Sequence, residues 1–418
     1  MPPLNAADMQ RVRMSLPYFK QFGWDAEVVT IDPAFSGIVR DELLVQSVPA
    51  DVKIHTIKAL DKSWTSKVGL GSLGLRSLLF YRKRVNQLLK ENHFDLIYFS
   101  TTEFAVCTLG VYWKKRFGVP YVIDMQDPWH SDYYQDKPKD QRPRKYWFSY
   151  RLNKYMEPIA MKNVDGLISV SEDYINDLKT RYPEIKDIPA ATITFGAFAP
   201  DLQIAANNSK QFTSLLNRQF TNIVYIGRGG NDMRQSIAPL FKALKDGLDK
   251  EPEIFSKIKI HFIGTSYAPK GQSKPTIMPL AEEIAVANNV VEITDRISYY
   301  HTLTTLQQAD ALFIPGSDDP KYTASKIFPY LLAQKPLLAI FNAQSSAIGI
   351  LAEYGAKYVY SYDATDGIEA RVYDFLKEVI SGNKKEYQYN PDAIKKYSAE
   401  NMANKQSELF NKVLDGKV

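Results

Sequence analysis

The stretch from Ala309 to Phe341, ADALFIPGSDDPKYTASKIFPYLLAQKPLLAIF, constrains the fold more than any other part of the chain. ALFIP is a short apolar run closed by Pro315-Gly316, as expected of a strand in a covered parallel sheet. GSDDPKY is dense in turn formers and continues neither regular element. Thr323 or Ser325 caps a predicted helix through SKIFPYLLAQ, and LLAIF after Lys335-Pro336 is a second buried strand. Strand, loop and helix in that order place a helix N-terminus at the carboxyl edge of a sheet. Free N–H groups and the positive dipole end there favour an anion, usually a phosphate. Lys326 stands in the first turn, where a cation opposes the helix dipole but meets such an anion. An ordinary βαβ unit with a solvated lysine would look the same on this stretch alone.

SKIFPYLLAQKPLLA resembles the SK-[LI]-[FY]-E-Y-[LM]-A-x-[GK]-[KR]-P-[VL]-LA segment of retaining glycosyltransferases with the GT-B fold, family 4 and its relatives. In that family the helix binds the diphosphate and ribose of a nucleotide-sugar, so the resemblance implies a diphosphate contact at Ser325 and Lys326. One departure is large. The family carries two glutamates eight positions apart, and Lys321 and Pro329 stand there. A proline near a helix start costs the fold little, because that N–H has no intrahelical partner. The ribose contact of the family's second glutamate is lost with it.

At 418 residues, two domains are the default. A composition 45% hydrophobic and 24% charged is that of a globular protein. Cys107 is the single cysteine, so no internal disulfide forms and a reducing compartment suits the chain. No apolar run approaches the roughly 20 residues that span a bilayer. The start MPPLNAADMQRVR has no apolar stretch of a signal peptide, so a cytoplasmic location is expected. The net charge of +5, most of it before residue 200, is too small to point to nucleic acid.

Residues 4–22 have helical spacing, with Val12, Leu16 and Phe19 on one face; Gly23 ends them and EVVTI is a strand. Arg11, Gly23, Trp24 and Thr30 fall in register with the family's opening. That opening begins with a strand before its Pro-Pro pair and continues into a glycine loop. Here the chain reads Met1-Pro2-Pro3 and then Asn5-Ala6-Ala7, so the expectation is a first domain without its opening strand in this numbering. GLGSLG at 69–74 fits a dinucleotide fingerprint only as a string, because polar DKSWTSKV precedes it and not a buried strand. It is a loop before the helix LRSLLFYRKRVNQLLKEN, whose basic face is either simply solvated or touches a membrane surface.

FDLIYFS, a helix over 104–117 and PYVIDMQ continue a strand–helix alternation that means a parallel sheet. Asp127, Trp129 and His130 follow directly, past a strand's carboxyl end, where doubly wound sheets keep their ligands. The family has a similar D-x-[RQ]-D-[PL]-W lining its cleft, ending at Trp129; Asp127 within it, and His130 by its place just past the strand, are the catalytic candidates. Turn chemistry at Asp127-Pro128 and a surface histidine are the plainer alternatives. Residues 142–162 form a basic aromatic helix, part core and part lining a cleft or touching lipid. VDGLISVSEDYINDLKTRYP and ATITFGAF complete the first half in family-like form.

Residues 199–219 are polar and weakly periodic and read as a linker. FTNIVYIG, IKIHFIG and VVEIT build a second sheet. VYIGRGGNDMR resembles the family's Y-x-G-R-x-x-x-x-[KR] segment, which assigns Arg228 to the donor diphosphate, with Arg234 the nearest second cation and Gly227 beside the nucleotide. The terminal NPDAIKKYSAENMANKQSELFNKVL is amphipathic, and in GT-B proteins such a helix returns to the first domain.

The expected architecture is therefore α/β: a GT-B protein of two Rossmann-like, doubly wound domains facing a cleft. Residues 1–198 form the acceptor-side domain with 390–418 packed back on it, and 220–389 bind the nucleotide-sugar. Transfer leaves a diphosphate whose charge must be met by fixed positive groups. The sequence has no Asp-x-Asp to hold a metal, so Arg228, Lys326, Arg234 and the helix end are assigned that task, without metal or cofactor. The resemblance implies a retaining glycosyltransferase using a nucleotide-sugar donor and a glycan or lipid-linked acceptor, in surface polysaccharide or glycoconjugate assembly. Peripheral contact with the inner membrane face would come through the basic aromatic first domain. With Pro329 in place of the glutamate, Asp318 and Asp319 are the remaining acceptors for ribose hydroxyls. A non-catalytic GT-B protein that binds a sugar or a partner is the alternative, favoured by Lys321 and Pro329.

Overall fold

The computed structural model describes residues 1–68, 71–130, 132, 135, 138–142, 146–268, 272–318, 327–363, 367–382 and 389–416. The chain divides into two compact units, Met1–Gly196 with Ser398–Val418, and Ala197–Tyr397.

The second unit holds six strands: β7 (Thr221–Ile226), β8 (Ile258–Ile263), β9 (Val290–Ile293), β10 (Ala311–Pro315), β11 (Leu337–Phe341) and β12 (Tyr358–Ser361). Their order is β12-β11-β10-β7-β8-β9 and every neighbouring pair is parallel. The chain thus starts at mid-sheet, winds outward through β8 and β9, then returns to the other side of β7 and winds out again. That is a doubly wound Rossmann sheet with its switch point between β7 and β10. ALFIP and LLAIF are buried along their whole length, as runs without polar alternation must be when both faces are covered.

The first unit has β1 (Glu27–Ile31) and β2 (Lys53–Ile57), followed by β3 (Ile97–Ser100), β4 (Tyr121–Met125), β5 (Gly166–Ser169) and β6 (Ala190–Thr192). These make two separate parallel sheets, β1-β2 and β3-β4-β5-β6. Residues 1–22 supply no strand to either; Leu4 makes one isolated bridge to Arg40. The predicted single helix over 4–22 is a helix Met9–Ser15 followed by a 3-10 turn Phe19–Phe22, because Pro17 has no N–H to continue the ladder.

Two further stretches differ from expectation. Residues 199–219 begin with a helix, Ala199–Asn207, packed on the helix Tyr299–Gln308 of the second unit. Buried Asp201 fixes it, accepting hydrogen bonds from Tyr299 and Tyr300, each at 2.9 Å. This ordering comes from partners about a hundred residues away, which local periodicity does not register. The terminal amphipathic segment is two helices, Pro391–Lys396 and Ala399–Asp415. Ser398 caps the second by accepting from the Asn401 N–H at 3.0 Å. Only this second helix lies in the first unit; Ala393 of the other belongs to the second unit's core.

A buried polar network joins the last helix to the first unit's sheet. Arg11 and Asp124, both fully buried, form an ion pair at 2.6 Å. Asp124 also accepts from Tyr98, Ser100 and Gln126 at 3.0–3.2 Å. Gln406 donates to the Tyr98 hydroxyl at 2.8 Å and accepts from Ser15 at 2.5 Å. Burial pushes the Asp124 carboxyl up, and Arg11 opposes that shift. None of the helices among the described residues is long and apolar enough to cross a membrane.

Candidate functional site

The switch point of the second unit gathers two loops at the carboxyl ends of β7 and β10. After β7 the chain turns sharply through Gly227. A side chain there would meet the Tyr225 ring, with its first carbon 2.5 Å from the hydroxyl. Tyr225 donates its hydroxyl to the Arg228 carbonyl at 2.9 Å and so clamps the same turn. Arg228 follows, half-buried, its guanidinium held by both oxygens of Asp232 at 3.0 and 2.6 Å. Arg228 holds the Asp232 carboxyl below its usual range, with burial opposing.

The β10 loop meets this turn through backbone. The Asp318 N–H donates to the Asp232 carbonyl at 2.8 Å, leaving the Asp318 side chain exposed. Ser236 donates to the Gly316 carbonyl at 2.6 Å, and Tyr362 to the Ser317 carbonyl at 3.0 Å. The helix Ile327–Leu332 is bound to the end of β7 by Tyr330, whose hydroxyl both accepts from the Ile226 N–H and donates to its carbonyl. Pro329 is half-buried in that helix. Gly227, Arg228, Asp318 and Pro329 therefore belong to elements tied together at one sheet edge. Arg234 differs: it begins the helix Arg234–Lys250, is half-exposed, and pairs with Glu283. Ser325, Lys326 and Asp319 lie outside the described residues.

Several supports of this edge carry no sequence motif. Glu292 accepts from Thr265 and from the backbone N–H groups of Thr276, Ile277 and Met278 at 2.7–3.0 Å. Thr265 in turn accepts the Gly229 N–H through its carbonyl at 2.8 Å. One carboxylate thus fixes the loop against which the Arg228 turn rests. The sequence around Asp232 and Ser236 marks only a turn and a helix start.

The first unit places its candidates after β4. Asp127 is exposed, with its carboxyl raised by partial burial and by the charge of Asp8. His130 is buried, its ring centroid 4.8 Å from that of Tyr150 and its Nε2 3.9 Å from Asp132. Burial lowers its basicity, so the ring is neutral at pH 7. The loop rests on Glu157, which is almost wholly buried. Glu157 accepts the His130 N–H at 2.9 Å and the Tyr182 hydroxyl at 2.8 Å, and pairs with Arg181. Trp129 stacks on Phe104 and donates to Asn153 at 3.3 Å. Glu157 sits inside the basic aromatic helix Tyr146–Met161, where its sequence neighbourhood gives no sign of this role.

Comparison with known proteins gives three findings. Residues 59–194, all in the first unit, match the family described as Glycosyltransferase Family 4. Among curated proteins no sequence match is found. Among solved structures, the N-terminal domain of trehalose-6-phosphate phosphatase from Candida albicans is similar, with 12% identity, 95% of this chain and 93% of that chain covered, and a TM-score of 0.52. HepE from Anabaena, solved in complex with UDP and glucose, shares 13% identity over 97% of this chain and 95% of its own, with a TM-score of 0.50. Such low identities establish the fold, which is GT-B with two Rossmann-like domains, and the chain resembles GT-B glycosyltransferases of family 4.

Proposed function

We propose that this protein is a glycosyltransferase that moves a sugar from a nucleotide-sugar to a glycan or lipid-linked acceptor. The observation that carries the reading is Arg228, a cation held at the carboxyl edge of the second unit's sheet, at its switch point. Ligands of open α/β sheets bind at that point, and a diphosphate needs a fixed cation there. The family 4 match over 59–194 supports it from the other unit. In the proposed reaction the acceptor hydroxyl forms a bond to the anomeric carbon as the C–O bond to the diphosphate breaks. Arg228 and Lys326 meet the charge left on the diphosphate, which takes up the acceptor's proton. A retaining outcome, with attack on the face the leaving group vacates, needs no nucleophilic side chain. Asp127 and neutral His130 are proposed on the acceptor side, and the pathway is surface polysaccharide or glycoconjugate assembly in the cytoplasm.

Ribose recognition is proposed to rest on Asp318 and Asp319, because Pro329 accepts no hydrogen bond from a hydroxyl. The helix Tyr146–Met161 exposes Trp147, Tyr155 and Ile159, eight and then four residues apart along one face, with Arg151 beside Trp147. Such a basic aromatic stripe suits the surface of an anionic bilayer. Melting the protein with UDP, GDP, ADP and CDP tests the donor assignment. A stabilising shift with one of them, lost in Arg228→Ala, is expected; no shift with any overturns it. The second reading, a non-catalytic binding protein, is favoured by one specific pairing: Asp232 already neutralises Arg228.

A further inference from the structure

The carboxyl edge of the second unit's sheet carries a cation that the diphosphate assignment leaves unused. Three loops at that edge are laced together by backbone hydrogen bonds. The Gly229 N–H, next to Arg228, donates to the Thr265 carbonyl after β8 at 2.8 Å. The Ser266 N–H donates in turn to the Thr294 carbonyl after β9 at 3.1 Å. Gly264 turns the β8 loop at φ 76°, close against the next loop: a side chain on it would begin 3.7 Å from the Arg296 Cα. The β10 loop is held to the β7 turn by the Asp318 N–H on the Asp232 carbonyl. A nucleotide anchored at that turn can therefore extend its base the other way, toward β9.

Arg296 and Tyr267 stand together on these loops. The Arg296 guanidinium carbon lies 4.0 Å from the centre of the Tyr267 ring, which is 68% exposed although it sits on a ligand edge. Arg228 is paired with Asp232 and Arg234 with Glu283. Arg296 has no hydrogen-bond or ion-pair partner among the described residues, and neither has the Asp295 carboxylate before it. β9 is two strand spacings from β7, roughly 10 Å, which suits the reach from a diphosphate across its ribose to the base. A guanidinium offers donors only, in a rigid fork, and a ring beneath it fixes that fork in one plane. Guanine presents N7 and O6 side by side as two acceptors. Adenine and cytosine put an amine donor on the corresponding edge, and uracil a single carbonyl. On its next edge guanine presents N1–H and the 2-amine, two adjacent donors that suit a carboxylate and that the other three bases lack.

Resting on the donor reading above, we propose that Arg296 and Asp295 make the site specific for guanine, so that the donor is a guanosine diphosphate sugar. Arg296 donates two N–H groups to O6 and N7, and Asp295 accepts from N1 and the 2-amine. Tyr267 is a positioning residue: it holds the Arg296 fork flat before the base arrives.

Titration calorimetry of the intact protein with GDP, UDP, ADP and CDP is the test. The wild type is expected to bind GDP at least about tenfold more tightly than the other three. Arg296→Ala is expected to weaken GDP by roughly 5- to 150-fold, the worth of one bidentate base contact, and to leave UDP unchanged. Arg296→Lys keeps the charge without the fork and is expected to lose the preference as well. Asp295→Asn should lower it too, whereas Tyr267→Phe should keep it. Equal weakening of all four nucleotides by Arg296→Ala would put that residue on the diphosphate and overturn the proposal. A wild-type preference for another base, or a GDP preference that survives Arg296→Ala, would overturn it also. Those failures leave the donor reading standing; binding of none of the four would overturn that reading and this proposal with it.

Discussion

Arg228 and Asp232 form a two-point ion pair four residues apart, across the turn that opens the β7 edge. A diphosphate bound there takes the guanidinium from the carboxylate, so Asp232 is a competitor as well as an anchor. Arg228→Ala should weaken the tightest of the four nucleoside diphosphates by roughly 10- to 150-fold, the worth of one charge-assisted contact. Asp232→Asn should act the other way. A partly exposed pair is worth about 0.5–1 kcal/mol, so affinity should rise roughly two- to fivefold. Titration calorimetry on both variants checks the opposing signs.

The Arg11–Asp124 pair makes a stability prediction. Removing one partner leaves the other charge buried, at about 3–5 kcal/mol. Asp124→Asn should therefore lower the melting temperature of the first unit by roughly 10 °C. Replacing both residues with apolar ones of similar size should cost much less. Scanning calorimetry of the single and double variants distinguishes the two cases.

Much of this fold is legible locally, and the reason differs by element. β10 and β11 announce themselves as apolar runs because both faces of their sheet are covered. Arg228 is marked by the resemblance of VYIGRGGNDMR to the family segment, since a glycine-rich turn alone could serve any tight bend. Asp201, Glu157 and Glu292 carry no such local mark. Each is a carboxylate whose role is set by partners brought close only by folding. The helix break at Pro17 is readable in principle, since proline acts through its own missing N–H.

His261 gives the second unit a pH dependence. Its ring is buried on β8, with Nε2 bound to Asn222 at 2.9 Å, and burial lowers its pKa from 6.5 to about 4. The unfolded chain takes up a proton below 6.5 while the folded one resists until about 4. The contribution is therefore complete above 6.5 and is lost as pH falls toward 4, on the order of 3 kcal/mol in all. Urea unfolding at stepped pH should show this slope in the wild type and a flatter one in His261→Gln.

The exposed stripe on the helix Tyr146–Met161 predicts lipid binding. Trp147→Ala with Tyr155→Ala should weaken binding to phosphatidylglycerol-containing vesicles by roughly tenfold or more, given the apolar area the two rings offer. Phosphatidylcholine vesicles should bind weakly in both proteins. Co-sedimentation measures both, and equal binding by variant and wild type would remove the stripe from the interface.

The helix Ala399–Asp415 belongs to the first unit although the whole second unit, Ala197–Tyr397, comes before it in the chain. Synthesis runs from the N-terminus, so the ribosome delivers every residue of the second unit before Gln406 and Phe410 emerge. The half made first is thus the half finished last. Until then Tyr98 lacks both the Gln406 amide and the Phe410 ring that pack on it. The nascent first unit therefore waits with apolar surface uncovered while its successor folds, which is the interval when a chaperone has most to hold.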